Sequence, residues 1–328
     1  MPAGSPFDAL DSDCILRSSD NVDFRIHKVI LSLASDVFNS MFALPSSSAS
    51  DSLDFMFALP SSNSNNQETK DGLPVITLAE PFKILDPLLR LCYPVRMPTF
   101  TTLPFPTLMS LYDGVDKYAM KDIAQPILDA LVEDLPRYPM TAFAFGCRHD
   151  LRNLAVTAAK ETLIYAKDSL PYVSELDRIT GSQLHRLYVY HRQCRAAASE
   201  LAMSDWSWIP ALSSIPLGTA LNSCTTCRIG VAMEKELIAG MVHRTSDNKW
   251  LLYCPRWWAV YMCEARGALR KNPRGATVQS RELLGLAMQK AVQCNKEACR
   301  VGSVAMIEFS ELFAQEVEKA IDAVKAPY

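Results

Sequence analysis

Hydrophobic and polar positions change period within the first forty residues. Cys14, Ile15 and Leu16 form a short apolar run, and Ser18, Ser19, Asp20 and Asn21 have turn composition. Val22, Phe24 and Ile26 then alternate with Asp23 and Arg25, which predicts two strands of a hairpin, the second half-buried. From His27 the spacing becomes helical, with Ile30, Leu33, Ala34, Val37, Phe38 and Met41 on one face. Further on, "LPVITL" predicts a strand, and "DPLLRLCYP" a helix capped by Asp86, with Pro87 in the first position and Pro94 past its end. Two helices are expected at Thr107–Tyr118 and Asp122–Leu135; the second aligns Ile123, Ile127, Leu128, Leu131 and Leu135 and tolerates Pro126 in its first turn.

Between these patterns, residues 45–71 are rich in Ser, Asn and Asp and repeat "MFALPSS" from Met41 at Met56. Two copies are too few for a solenoid, so a tandem duplication in a largely disordered surface insertion is expected, with a short helix at the second copy. Residues 138–205 read as helices: one to Cys147, a polar turn at Arg148-His149-Asp150, and a second packing Leu151, Leu154, Ala155, Ala158 and Thr162. Thr180 and Gln183 have capping-box spacing ahead of Leu184, Leu187, Cys194, Ala198 and Leu201. Residues 206–328 add a helix at "YCPRWWAVYMCEARGALR", whose Trp257 and Trp258 are expected in a core rather than on a partner surface. A final helix with Phe309, Phe313, Val317, Ala320 and Val324 closes an all-helical region.

Composition narrows the function classes. The 328 residues are 49% apolar and 21% charged, with net charge −3 and the two signs mixed, which argues against broad nucleic-acid binding. No apolar run reaches the ~18 residues of a membrane span, and the acidic start "MPAGSPFDALDSD" is no signal peptide. The expectation is an intracellular protein of cytoplasm or nucleus, whose ten cysteines are thiols or metal ligands before they are disulfides. Arg266, Arg270, Lys271, Arg274 and Arg281 make a modest basic patch, by default a solvated face. No nucleophile–base signature, G-x-G-x-x-G or Walker pattern stands out, so an enzyme is the weakest class.

Two groups of residues carry candidate chemistry. Cys224-x2-Cys227 and Cys294-x4-Cys299 have the donors of a four-thiolate zinc site, with Cys254 and Cys263 between them. Against that stand the looser x4 spacing, the 66 residues between Cys227 and Cys294, and the habit of free cysteine to act as a small buried apolar side chain. A redox reading of Cys224 and Cys227 lacks a thioredoxin-like strand–helix context. His185 and His191, six apart, do not suit a joint metal site and are expected packed or solvent-facing.

The stretch "DCIL…FRIHKVILSLASDVFNSMF" resembles the signature of the BTB (POZ) domain: an Asp on the first strand, an aromatic-x-x-His at the strand–helix junction, then Ser and Phe in the next helix. Those residues are Asp13, Phe24, His27, Ser35 and Phe38, and "DKYAM" at Asp116–Met120 resembles the family's later helix junction. The phrases "YVSELDRITGSQLHRLYVYHRQC" and "RGATV" resemble those of a basidiomycete (fungal) group of BTB proteins.

The resemblance implies an α+β BTB domain over 9–135, a short mixed sheet covered by helices, after a tail at 1–12. A BACK-like helical extension at 138–205 and a mainly helical C-terminal region at 206–328 follow. It makes Phe24, His27, Ser35 and Phe38 structural, and places Asp13 and Lys28 in a charged pocket of a self-associated dimer. The implied role is adaptor: self-association or docking to a scaffold, including a cullin-type ubiquitin ligase. The docking positions would be Thr107, Leu108 and Met109, although the acidic residue of the usual triplet is missing. No cofactor is implied; zinc at the four cysteines is the alternative.

Overall fold

A computed structural model describes residues 1–43, 68–95, 99–166, 169–202, 208–209, 224, 226–233, 242–244 and 250–328, with the backbone alone for 231–233, 242–244 and 250–253. The expected disorder and the short helix of the second "MFALPSS" copy lie outside these residues. The chain divides into two compact units, Met1–Tyr138 and Pro139–Tyr328.

In the first unit the hairpin forms as the alternation predicts. β1 (Cys14–Arg17) pairs antiparallel with β2 (Asp23–Ile26), Cys14 opposite Ile26 and Leu16 opposite Phe24. α1 (Lys28–Ala34) and α2 (Asp36–Ala43) follow. β3 (Thr69–Lys70) and β4 (Leu73–Thr77) make a second hairpin, and β4 runs parallel to β1, giving the strand order β2-β1-β4-β3. The end of the expected disordered insertion is therefore strand. Its turn is Asp71-Gly72, both at positive φ (53° and 78°), the pair a primed two-residue hairpin turn demands.

α3 (Phe82–Cys92) starts a turn earlier than expected, and Asp86 does not cap it. The buried stripe Ile84, Leu85, Leu88 and Leu89 extends upstream, so Pro87 sits inside the helix. The carbonyl four residues back belongs to exposed Lys83, where water can replace the missing N–H; Asp86 pairs instead with Arg90 at 2.9 Å. α4 (Phe105–Lys117) and α5 (Gln125–Asp134) complete the unit, with Pro126 in the first turn of α5 as its sequence allows. Ile15, Leu16, Phe24, Ile26, Leu31, Phe38, Leu85 and Leu111 share the core.

The second unit begins with α6 (Pro139–Arg148) and α7 (Arg152–Glu161). Gly146 lets them touch: a Cβ there would lie 2.8 Å from the Ala155 backbone nitrogen. α8 (Gly181–Glu200) begins at the predicted capping box of Thr180 and Gln183. It packs against α9 (Arg256–Lys271) and, past the short α10 (Gly275–Val278) and α11 (Arg281–Gln293), against α12 (Glu297–Asp322). The extension (138–205) and the C-terminal region (206–328), whose division into one domain or two the sequence leaves open, lie in the one compact unit Pro139–Tyr328. Nor is the closing part all-helical: β5 (Arg228–Met233), β6 (Val242–Arg244) and β7 (Trp250–Pro255) form a sheet in the order β5-β7-β6. The expected helix at "YCPRWW" is strand up to Pro255, and α9 starts only at Arg256. Trp257, Trp258 and Tyr261 are core, with Trp258 and Tyr261 against Phe309 and Trp208 stacked on Phe313 at 5.0 Å.

Candidate functional site

Polar chemistry gathers at two places, the strand–helix junction of the first unit and a cysteine cluster in the second. At the junction, His27 is the N-cap of α1, but its side chain does not cap. The Asp13 carboxylate, from just ahead of β1, accepts the Lys28 backbone N–H at 2.8 Å and does that work. The His27 backbone N–H donates to the Tyr93 hydroxyl at 2.9 Å, tying the start of α1 to the end of α3. Its imidazole sits between Tyr93 Oη (3.4 Å from Nδ1) and Asp11 (3.3 Å from Nε2). Phe24, below it, meets Phe7 edge-on at 5.4 Å and stacks on Phe82 at 5.7 Å.

Ser35 and Phe38 make the second half of this junction. Ser35 Oγ accepts the Phe38 backbone N–H at 3.0 Å, capping α2, and donates to the buried Tyr118 carbonyl. The Phe38 ring stacks on Tyr118 at 4.6 Å and 7°. The Tyr118 hydroxyl donates to Glu80, which also holds Lys117 at 2.7 Å. Residues far apart in sequence thus form one network whose donors and acceptors are paired within the fold. Asp13 is exposed and Lys28 half-buried in the single chain, with the Lys28 ammonium 5.9 Å from the Phe42 ring.

Leu108 and Met109 do not form a docking surface. They are 1% and 8% exposed, because α4 turns Phe105, Leu108, Met109, Leu111, Tyr112 and Val115 toward the core. The outward side of that helix is Pro106, Thr107, Ser110 and Asp113, which with Glu80, Pro81, Lys83 and Ile84 line an open groove.

In the second unit the structure brings Cys224, Cys227, Cys294 and Cys299 together. Cys224 and Cys227 lie just ahead of β5, Cys294 is the C-cap of α11, and Cys299 is in the first turn of α12. Asn295, at φ 54°, reverses the chain between those helices so that the x4 pair converges. The Sγ atoms are 3.5 Å apart for Cys224–Cys227, 3.6 Å for Cys224–Cys294 and 3.5 Å for Cys227–Cys299, and all four lie within 4.8 Å of one another.

Donors surround these sulfurs. Burial pushes the Cys224 thiol up, but hydrogen bonds from the backbone N–H groups of Cys227 and Thr226 and from the neighbouring thiols outweigh it and bring it down to about 6. Burial, and next the neighbouring Cys294 thiol, raise Cys227 to about 11, while the Arg256 backbone N–H donates to the Cys227 carbonyl at 2.9 Å. Burial raises Cys299 too, opposed first by the nearby Trp257 indole, whose buried N–H has no hydrogen-bond partner. Elsewhere burial leaves isolated inert thiols, Cys14, Cys147 and Cys194 at about 11 and Cys254 at about 12; Cys263 is exposed. The two histidines stay apart: His185 is exposed, while His191 is buried with Nε2 2.8 Å from Thr162 Oγ1.

Sequence reasoning missed Tyr93, Glu80 and Tyr118 as partners of the junction; the "DKYAM" motif contained Tyr118 but not its target. Among the described residues no helix is long and apolar enough to cross a membrane. No curated protein matches the chain. Residues 7–135 match the family model of the BTB/POZ domain, and the small mixed sheet and helices agree with it: this chain carries a BTB/POZ domain, a module that binds other proteins.

Proposed function

We propose that the protein is a non-catalytic adaptor whose BTB domain self-associates through the outer face of α1. One observation carries the self-association. Val29 and Leu33, one turn apart on α1, are 63% and 85% exposed while Leu31 between them is fully buried. Large side chains uncovered on one face of a helix are the signature of a covered surface. Asp13 and Lys28 stand at the N-terminal end of the same helix, where a second copy would enclose them and supply the buried charged pocket. The second unit, with its BACK-like leading helices and phrases resembling the basidiomycete group, presents a further binding surface.

Sedimentation of the full chain tests this reading. A dimer at micromolar concentration that becomes monomeric in Val29→Asp/Leu33→Asp, with unchanged helical content, is expected; a wild-type monomer at ~100 μM removes the proposal. Docking to a cullin-type scaffold is a finer version of the same role. The groove of Thr107, Ser110 and Asp113 favours it, since these residues face outward beside the exposed Pro106. Calorimetry with the N-terminal domain of a cullin should then show saturable binding that Ser110→Arg weakens at least tenfold, about 1.4 kcal/mol. No heat at ~100 μM leaves the self-associating adaptor without this scaffold.

A further inference from the structure

We propose that Cys224, Cys227, Cys294 and Cys299 bind one zinc ion as a closed structural site that fastens the β5-β7-β6 sheet to the junction of α11 and α12. Geometry is the first argument. A tetrahedral zinc with metal–sulfur distances of ~2.3 Å sets its ligands ~3.8 Å apart. Three of the sulfur pairs lie at 3.5, 3.6 and 3.5 Å, and all four sulfurs are within 4.8 Å of one another. Four sulfurs mutually this close have one point near all of them. A disulfide would use two and leave two.

The groups around the sulfurs suit a charged centre as well. Thiols are poor hydrogen-bond partners for one another, yet the backbone N–H groups of Thr226 and Cys227 lie beside Cys224, and the buried Trp257 indole N–H, which has no hydrogen-bond partner, lies beside Cys299. N–H donors suit sulfur that carries negative charge, and a zinc with four thiolates has net charge −2 to spread. Cys299 adds the N-terminal turn of α12, where unsatisfied N–H groups favour an anion.

The connectivity gives the ion its task. Its ligands come from segments separated by 70 and 72 residues, so binding closes a long loop that the reduced apo chain holds by packing alone. With four protein ligands no coordination position stays open for water or substrate, so the role is structural. The thiolate set selects zinc over harder divalent cations.

The test uses the full chain purified under reducing conditions. Metal analysis should give one zinc per chain. Replacement by cobalt should produce visible absorption with the thiolate charge-transfer bands of a four-sulfur tetrahedral site. Cys224→Ser should lower those bands, whereas Cys263→Ser, at an exposed thiol outside the cluster, should leave them intact. Removing zinc with a mercurial and a chelator should lower Tm by ~5 °C or more, with recovery on adding zinc back. If Cys224→Ser fails to fold, the metal content and cobalt spectrum of the wild-type chain decide alone. A folded wild-type chain that takes up neither zinc nor cobalt overturns the site, as does one isolated with iron or with a Cys224–Cys227 disulfide.

Discussion

The junction around His27 and the cluster around Cys224 both gather polar atoms inside a fold, and they are completed differently. At the junction each main donor meets an acceptor of the same chain: Lys28 N–H at Asp13, His27 N–H at Tyr93, Ser35 at Tyr118, Tyr118 at Glu80. In the cluster four sulfurs face one another, and the Trp257 indole N–H buried beside them has no hydrogen-bond partner. A polar set satisfied internally is architecture; one whose members are all potential ligands is completed from outside. Residue type alone does not separate the two, since a histidine beside an aspartate looks like chemistry and a scattered cysteine does not.

The first way to break that comparison is at Phe38. If the junction is architecture, its aromatic centre must be worth a core side chain. Phe38→Ala removes a fully buried ring stacked on Tyr118 and should destabilise the first unit by about 3–5 kcal/mol. Hydrogen exchange in α2 and around Tyr118 should accelerate far more than in α9 or α12. A variant with wild-type protection in α2 would show that the signature residues do not hold this unit together.

The same contrast explains what the sequence made legible. The hairpin, β4 and the capping box of α8 follow from periodicity and capping chemistry, which are local. α1 forms where its period predicts, but Leu31 rather than Leu33 is its buried residue, and Leu33, expected on the packed face, is exposed. The cysteines were legible as donors, but the x4 spacing counted against them. Nothing in residues 294–299 announces that Asn295 will take a left-handed conformation and turn one helix end onto the next helix start. Leu108 and Met109 failed for another reason. Their place in a docking triplet rests on motif resemblance, whereas which face of α4 is buried depends on the stripe it shares with Phe105, Tyr112 and Val115. The β5-β7-β6 sheet was hidden because "YCPRWW" continues apolar across Pro255, where strand passes to helix. Asp71-Gly72 carried its hairpin signal openly, but it was absorbed into the polar composition around it.

Acid sharpens the comparison on the side of the second unit. His191 is buried against Thr162, and burial, helped by Arg195, lowers its pKa from 6.5 to about 4. As pH falls, the unfolded chain takes up this proton before the folded one does. The stabilisation is therefore complete above pH ~6.5 and is lost toward pH ~4, a total of about 3 kcal/mol. All five tryptophans lie beyond residue 205, so their fluorescence follows the second unit. Urea midpoints read by fluorescence should fall between pH 7 and 4.5 in the wild type and fall less in His191→Gln. Equal pH profiles for the two would mean that His191 is not the group being titrated.

The smallest expected effect discriminates best between the two roles open to Asp13. As the cap of α1 it contributes one charge-assisted hydrogen bond at the helix N-terminus, worth about 1 kcal/mol. Asp13→Asn retains a capping oxygen, so it should recover most of the stability lost in Asp13→Ala. Self-association asks for something else. Enclosed with Lys28 in a dimer, the carboxylate supplies charge as well as an oxygen, and Asn leaves the ammonium without its counter-ion. Monomer stability from urea unfolding at low concentration should rank wild type, then Asn, then Ala. Dimer dissociation constants from sedimentation should instead weaken for Asn and Ala alike. If Asn restores both quantities together, Asp13 serves the helix alone, and the face of Val29 and Leu33 must associate without it.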